Sequence, residues 1–180
     1  MDEKGNLDWQ KSFGGNQVDL LQSIAITQDG GFILGGTSTS DKGIDKKEDS
    51  KGQEDFWVIK LNAASDEQWQ RTIGGDGQEE LLCAFQTKDG GYILGGSSSS
   101  SPESSSNNKI DAKAVTKADL YSKSEKSRGN MDYWVVKLDN KGVIEWQKTY
   151  GGEYSDILRS MEQTSDNGYI LAGYSNSPVS

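Results

Sequence analysis

The sequence predicts an all-β fold built from four-stranded antiparallel sheets of the β-propeller type. Three observations lead to this prediction. Four short motifs recur in a fixed order along the 180 residues, each motif is rich in β-branched and aromatic residues, and the stretches between them are rich in Gly, Asp, Asn and Ser. Short strands of this composition, four to a repeat of roughly 50 residues, are typical of propeller blades.

The motifs define four strands in each repeat, which we call A to D. In the first complete repeat we expect strand A near 20–27, strand B near 32–37, strand C near 56–61 and strand D near 68–73. The link between A and B reads Gln-Asp-Gly-Gly at 28–31. This link predicts a hairpin turn, because Gly tolerates the positive φ that such turns require.

Strand D contains the most constant motif, which begins with Trp-Gln and ends with Gly-Gly. An acidic residue follows four positions after the second Gly in every copy. The three tryptophans are Trp9, Trp69 and Trp146, and the three acids are Asp19, Glu79 and Asp156.

The order of the motifs predicts one repeat domain over residues 1–180 with about three blades. Its parts are strand D of a split blade at 1–15, blade 1 at 16–75, blade 2 at 76–152 with a long B–C insertion at 97–131, and strands A and B of the split blade at 153–180. Propellers have four to eight blades, so three cannot close a ring. Two alternatives remain open: part of a larger ring, or half of a six-bladed ring formed by a homodimer.

The composition excludes several classes of function. The chain has no His, a single Cys and a net charge of −9. The absence of His removes Ser-His and Cys-His catalysis and His metal ligands, and one Cys cannot form an intrachain disulfide or a Cys-cluster zinc site. A negative chain is a poor ligand for nucleic acid, and no apolar run approaches the roughly 18 residues of a membrane span. We therefore expect a non-catalytic protein that neither binds nucleic acid nor spans a membrane.

The candidate binding face is the end of the blades that carries the D–A and B–C connections, because it has the long loops. Carboxylates there suggest a site for Ca²⁺ or for sugar hydroxyls; otherwise each acid accepts backbone N–H groups and fixes its own loop. No other cofactor is expected, and the sequence does not identify a metal. The acids are Asp19, Asp55, Asp76, Glu79, Glu80, Asp132 and Asp156.

The repeated tryptophans of strand D also have two interpretations. Trp9, Trp69 and Trp146 lie among Gln, Lys and Thr, as an aromatic platform for a sugar would. A Trp at a fixed position of every repeat is, however, more often part of the core.

The motifs at 87–96, 122–129, 132–138 and 146–152 resemble a known repeat family. It is the β-propeller-like repeat of secreted and cell-surface proteins of Bacteroidetes, commonly exported by type IX secretion. The resemblance covers nearly the whole chain except the insertion at 100–120, and it implies an extracellular or cell-surface location. Residues 1–5 of this chain have no apolar leader character, and the chain has no sorting domain of the kind such proteins often carry.

These observations favour a binding or scaffolding module over an enzyme. The leading hypothesis is a protein-interaction module of the cell surface or secretome. The alternatives are a lectin-like carbohydrate-binding propeller and a fragment of a larger secreted enzyme. The expected partner is accordingly a protein or a glycan, with a second copy of the chain as one such protein.

Overall fold

The computed structural model describes residues 1–102 and 119–178, and within these ranges the protein is all-β, as predicted. The predicted insertion at 97–131 includes 103–118, which lie outside the described ranges, as do 179 and 180. The described ranges hold ten strands, one short 3-10 helix (Asp119–Tyr121) and no α-helix. The strands are β1 (Asp19–Ile26), β2 (Phe32–Ser38), β3 (Asp55–Leu61), β4 (Glu67–Ile73), β5 (Glu79–Gln86), β6 (Tyr92–Ser98), β7 (Asp132–Leu138), β8 (Ile144–Tyr150), β9 (Asp156–Gln163) and β10 (Tyr169–Ser175).

The described strands form three antiparallel sheets in which each strand lies next to its neighbour in sequence. Sheet 1 has the order β1-β2-β3-β4, sheet 2 has β5-β6-β7-β8, and sheet 3 is the hairpin β9-β10. Sheets 1 and 2 have the same register, with Phe32 opposite Leu61 in one and Tyr92 opposite Leu138 in the other. The repeated motifs therefore correspond to repeated sheets, with the predicted strands A to D in their predicted order.

The sheets stack face to face around an apolar core. Phe56 of β3 packs against Trp134 of β7, with ring centroids 4.8 Å apart. Leu81 and Ala84 of β5 are almost fully buried in this cluster. Gly35 of β2 sits directly over them, because a Cβ there would lie 2.7 Å from Leu81 Cδ2 and 2.9 Å from Ala84 Cβ. The glycine lets the two sheets approach closely.

Two hydrogen bonds recur where one sheet meets the next. Leu81 N donates to Thr37 Oγ1 at 3.2 Å between sheets 1 and 2, and Leu158 N donates to Ser97 Oγ at 3.0 Å between sheets 2 and 3. The A–B turns add a second bond, from Gln28 N to Gln86 Oε1 in the first case and from Lys88 N to Gln163 Oε1 in the second. The two interfaces therefore have the same pattern of hydrogen bonds.

The segment 1–15 differs from its prediction as a strand, because it belongs to no sheet among the described residues. A D-type strand pairs with a C-type strand, and no described C-type strand is available to it. The segment nevertheless contacts sheet 1 as β4 contacts sheet 2. Trp9 packs on Phe32 as Trp69 packs on Tyr92, and Lys11 Nζ donates to Ser65 O at 2.7 Å.

No helix in the described ranges has the length and apolar character needed to span a bilayer.

Candidate functional site

The acids of the D–A loops hold the loops onto the hairpin that follows. Glu79 is fully buried at the start of β5. Its Oε2 accepts from Gly75 N at 2.8 Å, and its Oε1 accepts from Ser98 Oγ at 2.8 Å and from Ser100 Oγ at 2.5 Å. The acids at the same position of the other repeats, Asp19 and Asp156, accept from their own Gly-Gly amide and a serine hydroxyl. All three side chains therefore have a structural role.

The acids that begin the C-type strands hold the long B–C loops. Asp55 Oδ2 accepts from Ser50 Oγ and Lys51 N, both at 2.7 Å. Asp132 Oδ2 accepts from Arg128 N and Gly129 N in the same position of sheet 2. Both carboxylates are fully buried, so neither is open to a ligand from solvent.

A second oxygen of each of these acids has no donor of its own. Asp55 Oδ1 and Asp132 Oδ1 are buried and have no hydrogen-bond donor among the described residues. Asp55 Oδ1 and Glu79 Oε2 both lie against the Cα of Gly74. The two carboxylates are therefore close neighbours, and like charges in proximity oppose ionisation. Burial raises the pKa of Glu79, and the charge of Asp55 raises it further.

Two buried lysines complete this end of the molecule. Lys46 Nζ donates to Ser40 O at 2.5 Å, and Lys123 Nζ donates to Ser100 O at 3.2 Å. Burial lowers the pKa of both lysines, that of Lys123 to about 8, while Asp55 and Glu79 respectively oppose this change. The sequence analysis did not identify these lysines, although they occupy the same position of successive repeats.

The remaining acids of the candidate binding face do not join this network. Asp76 is exposed and, among the described residues, accepts only from Ser101 N, at 3.3 Å, and Glu80 is half-buried. Nowhere in the described part of the chain do three or more Asp, Glu or Cys side chains meet in a group that could hold a metal ion. Binding of Ca²⁺ or of a sugar at this end of the molecule stays a prediction, because the described residues do not form a ready site for either ligand.

The three tryptophans of the predicted aromatic platform each pack against the next sheet. Trp69 and Trp146 meet the rings of Tyr92 and Tyr169, with centroids 5.4 and 5.9 Å apart. Trp9 is 54% exposed and meets Phe32 at 6.3 Å. This geometry favours the packing interpretation of the repeated Trp.

The turns between A- and B-type strands contain an ion pair that the sequence analysis did not identify. Lys60, a buried residue of β3, places its Nζ 2.8 Å from Asp29 Oδ2. Lys137 of β7 does the same with Asp89 at 3.0 Å. The lysine hydrogen bond, followed by that of Thr27, lowers the pKa of Asp29 to about 2. The signal was present in the sequence, since both complete repeats have Asp in this turn and Lys in strand C.

An uncovered apolar surface lies on the face of sheet 1 that points away from sheet 2, which we call the β1 face. Leu21 and Ile24 are 64% and 63% exposed there, whereas the equivalent Leu81 and Ala84 are 0% and 2% exposed. A groove of about 380 Å³ runs between this face and the segment at 9–13. The difference has one cause: sheet 1 covers Leu81 and Ala84, and no described sheet covers the β1 face.

Comparison with models of protein families and with curated proteins found no match for this chain.

Proposed function

We propose that this chain is a non-catalytic interaction and scaffolding module built from propeller-type blades. Sheets 1 and 2 are complete blades, and sheet 3 is part of a third. The module binds through its β1 face, and the partner is a blade of the same kind, supplied by a second copy. The resemblance of its motifs to Bacteroidetes surface repeats supports a location outside the cell.

One observation carries this proposal. A face that is closed by the neighbouring blade in two places of the molecule, at Leu81 and Leu158, is open at Leu21. Exposing to water a leucine side chain that could be buried costs about 1.5–3 kcal/mol. Val18, Leu20 and Ile26 are also exposed near Leu21. Exposed apolar surface of this continuity marks an interaction site.

The outer face of sheet 3 supplies the matching surface. In sheets 1 and 2 the residues that meet the next sheet alternate along the B-type strand, as Ile33, Gly35 and Thr37 do in β2. The same positions of β10 are occupied by Ile170, Ala172 and Tyr174, all of them exposed. The β1 face of one copy and the β10 face of another can therefore meet in the same arrangement, at a wider spacing, because Ala172 and Ile24 take the places of Gly35 and Ala84. Two copies that close on each other make a ring, and copies that do not close make an open stack.

The test is the solution mass of the full chain, measured by light scattering after size exclusion over a range of concentrations. We expect a mass of two or more chains for the natural sequence. A double variant, Leu21→Asp with Ile24→Asp, places charge on the β1 face and should give the mass of one chain. Ile44→Asp is the matched control, because Ile44 is 81% exposed but lies outside the groove. A one-chain mass for the natural sequence at every concentration contradicts assembly through this face.

A further inference from the structure

Strand β10 presents a free edge to which a further strand can be added. Among the described residues β10 pairs with β9 alone. The equivalent strands β2 and β6 each pair on this edge with a C-type strand, β3 and β7 respectively. An unpaired edge of backbone N–H and C=O groups is a template for β-strand addition.

The turn beside this edge is built to receive a lysine. In sheets 1 and 2 the turn aspartate accepts from a threonine hydroxyl and a glycine amide and then pairs with the lysine of strand C. Asp166 accepts in the same way from Thr164 Oγ1 and Gly168 N. Within the described ranges no ammonium group forms an ion pair with Asp166, although Lys88 Nζ donates to Thr164 O and Ser165 O of the same turn and its charge acts on Asp166. The third turn thus keeps the carboxylate, while no described strand supplies the lysine that strand C supplies in sheets 1 and 2.

The shape of the turn is preserved together with its charge. A Cβ on Gly31 would collide with the carbonyl oxygen of Leu61, and one on Gly91 with that of Leu138, so strand C requires glycine there. Gly168 occupies this position in the third repeat, where the nearest atoms to a Cβ belong to its own turn. The space that a C-type strand fills in sheets 1 and 2 is therefore open beside β10.

The charge of the site favours one kind of occupant. β10 itself contains no Lys or Arg, so pairing of two β10 strands would give neither Asp166 carboxylate a lysine from the added strand. Both C-type strands of this chain carry Lys next to their last residue, in Asp-Phe-Trp-Val-Ile-Lys-Leu and Asp-Tyr-Trp-Val-Val-Lys-Leu.

We propose that the free edge of β10 binds an extended segment of another polypeptide with the pattern Asp-aromatic-Trp-Val-(Ile or Val)-Lys-Leu. The segment pairs antiparallel, in the register of β2 with β3, so that its Leu lies opposite Tyr169 and its Asp opposite Ser175. Its lysine forms an ion pair with Asp166. This site is separate from the β1 face and does not depend on assembly through that face.

The test uses the full chain and a fluorescent peptide with the sequence of residues 130–141. We expect saturable binding by fluorescence anisotropy and slowed hydrogen exchange of the β10 amides. Asp166→Asn, and separately a peptide with Glu at the position of Lys137, should each weaken binding about tenfold, since a charged hydrogen bond contributes on this scale. Asp166→Lys should recover binding of the Glu peptide.

The controls separate this site from other surfaces. Asp139→Asn alters another exposed turn aspartate, which accepts only from backbone amides of its own turn among the described residues, and should leave binding unchanged. Leu21→Asp with Ile24→Asp should also bind the peptide normally, whether or not the chain assembles. The proposal is overturned if no binding is seen at about 1 mM peptide, if β10 is not protected, or if Asp166→Asn binds as tightly as the natural chain.

Discussion

At the scale of single residues, the buried lysines of the C-type strands are stabilised by ion pairs with turn aspartates. Lys60 is 1% exposed, and its ammonium group has Asp29 and one backbone carbonyl as partners. A buried ammonium that loses its counter-charge is strongly destabilising. The partly exposed position of Asp29 reduces this effect, because water screens the pair.

Asp29→Asn should lower the free energy of unfolding by about 1–2 kcal/mol at neutral pH. Because the pKa of Asp29 is lowered to about 2, the stabilisation is present above its ordinary pKa of 3.8 and is lost as the pH falls toward 2. The difference between the natural chain and the variant should shrink over that range in chemical denaturation. Asp166→Asn removes the same charge from a turn that has no ion pair with a buried lysine among the described residues, since Lys88 there donates to backbone carbonyls, and should change stability little. Equal losses in the two variants would refute the role assigned to Lys60.

At the scale of elements, two neighbouring carboxylates lie where β3 and β5 begin. Asp55 and Glu79 begin these strands, and each also holds a loop of its own. Because burial and the charge of Asp55 raise the pKa of Glu79 above its ordinary value of 4.5, this junction loses stability as the pH rises through the raised pKa of Glu79.

Asp55→Asn should reduce this loss, because it removes the like charge beside Glu79 while its amide oxygen can still accept from Ser50 and Lys51. Relative to the natural chain, the variant's free energy of unfolding should rise by about 1 kcal/mol as the pH increases through the raised pKa of Glu79. Asp76→Asn, a charge change on an exposed acid of the loop that contains Glu79, should show no such trend. A parallel pH dependence of Asp55→Asn and the natural chain would contradict the electrostatic coupling of Asp55 to Glu79.

The strands themselves follow directly from sequence, because the repeats mark their composition and their turns. The predicted strands near 20–27, 32–37, 56–61 and 68–73 correspond to β1 to β4. Contacts between repeats could not be predicted from the motifs. The pairing of Lys60 with Asp29, or of Asp55 with Glu79, depends on which faces of neighbouring strands and sheets meet, and a motif read along the chain does not contain that information. The segment at 1–15 matched a strand motif but had no described strand to pair with.

At the scale of the whole molecule, the same kind of interface between sheets occurs twice, and the two surfaces that would form a third are uncovered among the described residues. The contacts at Leu81 and Leu158 show how a B-type strand covers the sheet that follows it. The β1 face and the outer face of sheet 3 are these two uncovered surfaces. We therefore predict a specific register for assembly, in which Ala172 of one copy meets Ile24 of the next, as Gly35 meets Ala84 within the chain.

Disulfide trapping tests this register most directly. Cys83 is the sole cysteine, and serine replaces it at the equivalent positions 23 and 160, so Cys83→Ser provides a neutral background. In that background, Ala172→Cys with Ile24→Cys should yield chains linked between copies under mild oxidation. The corresponding Cβ positions at Gly35 and Ala84 lie 2.9 Å apart, and the wider spacing expected between copies brings them toward the Cβ–Cβ distance of about 3.5–4.5 Å in a disulfide. Either cysteine alone, or Ala172→Cys with Ile44→Cys, should yield far less. Linked species from the 172–24 pair, seen on a non-reducing gel, are the predicted result. A yield no greater than that of the controls would contradict assembly of the β1 face of one copy with the outer face of sheet 3 of another.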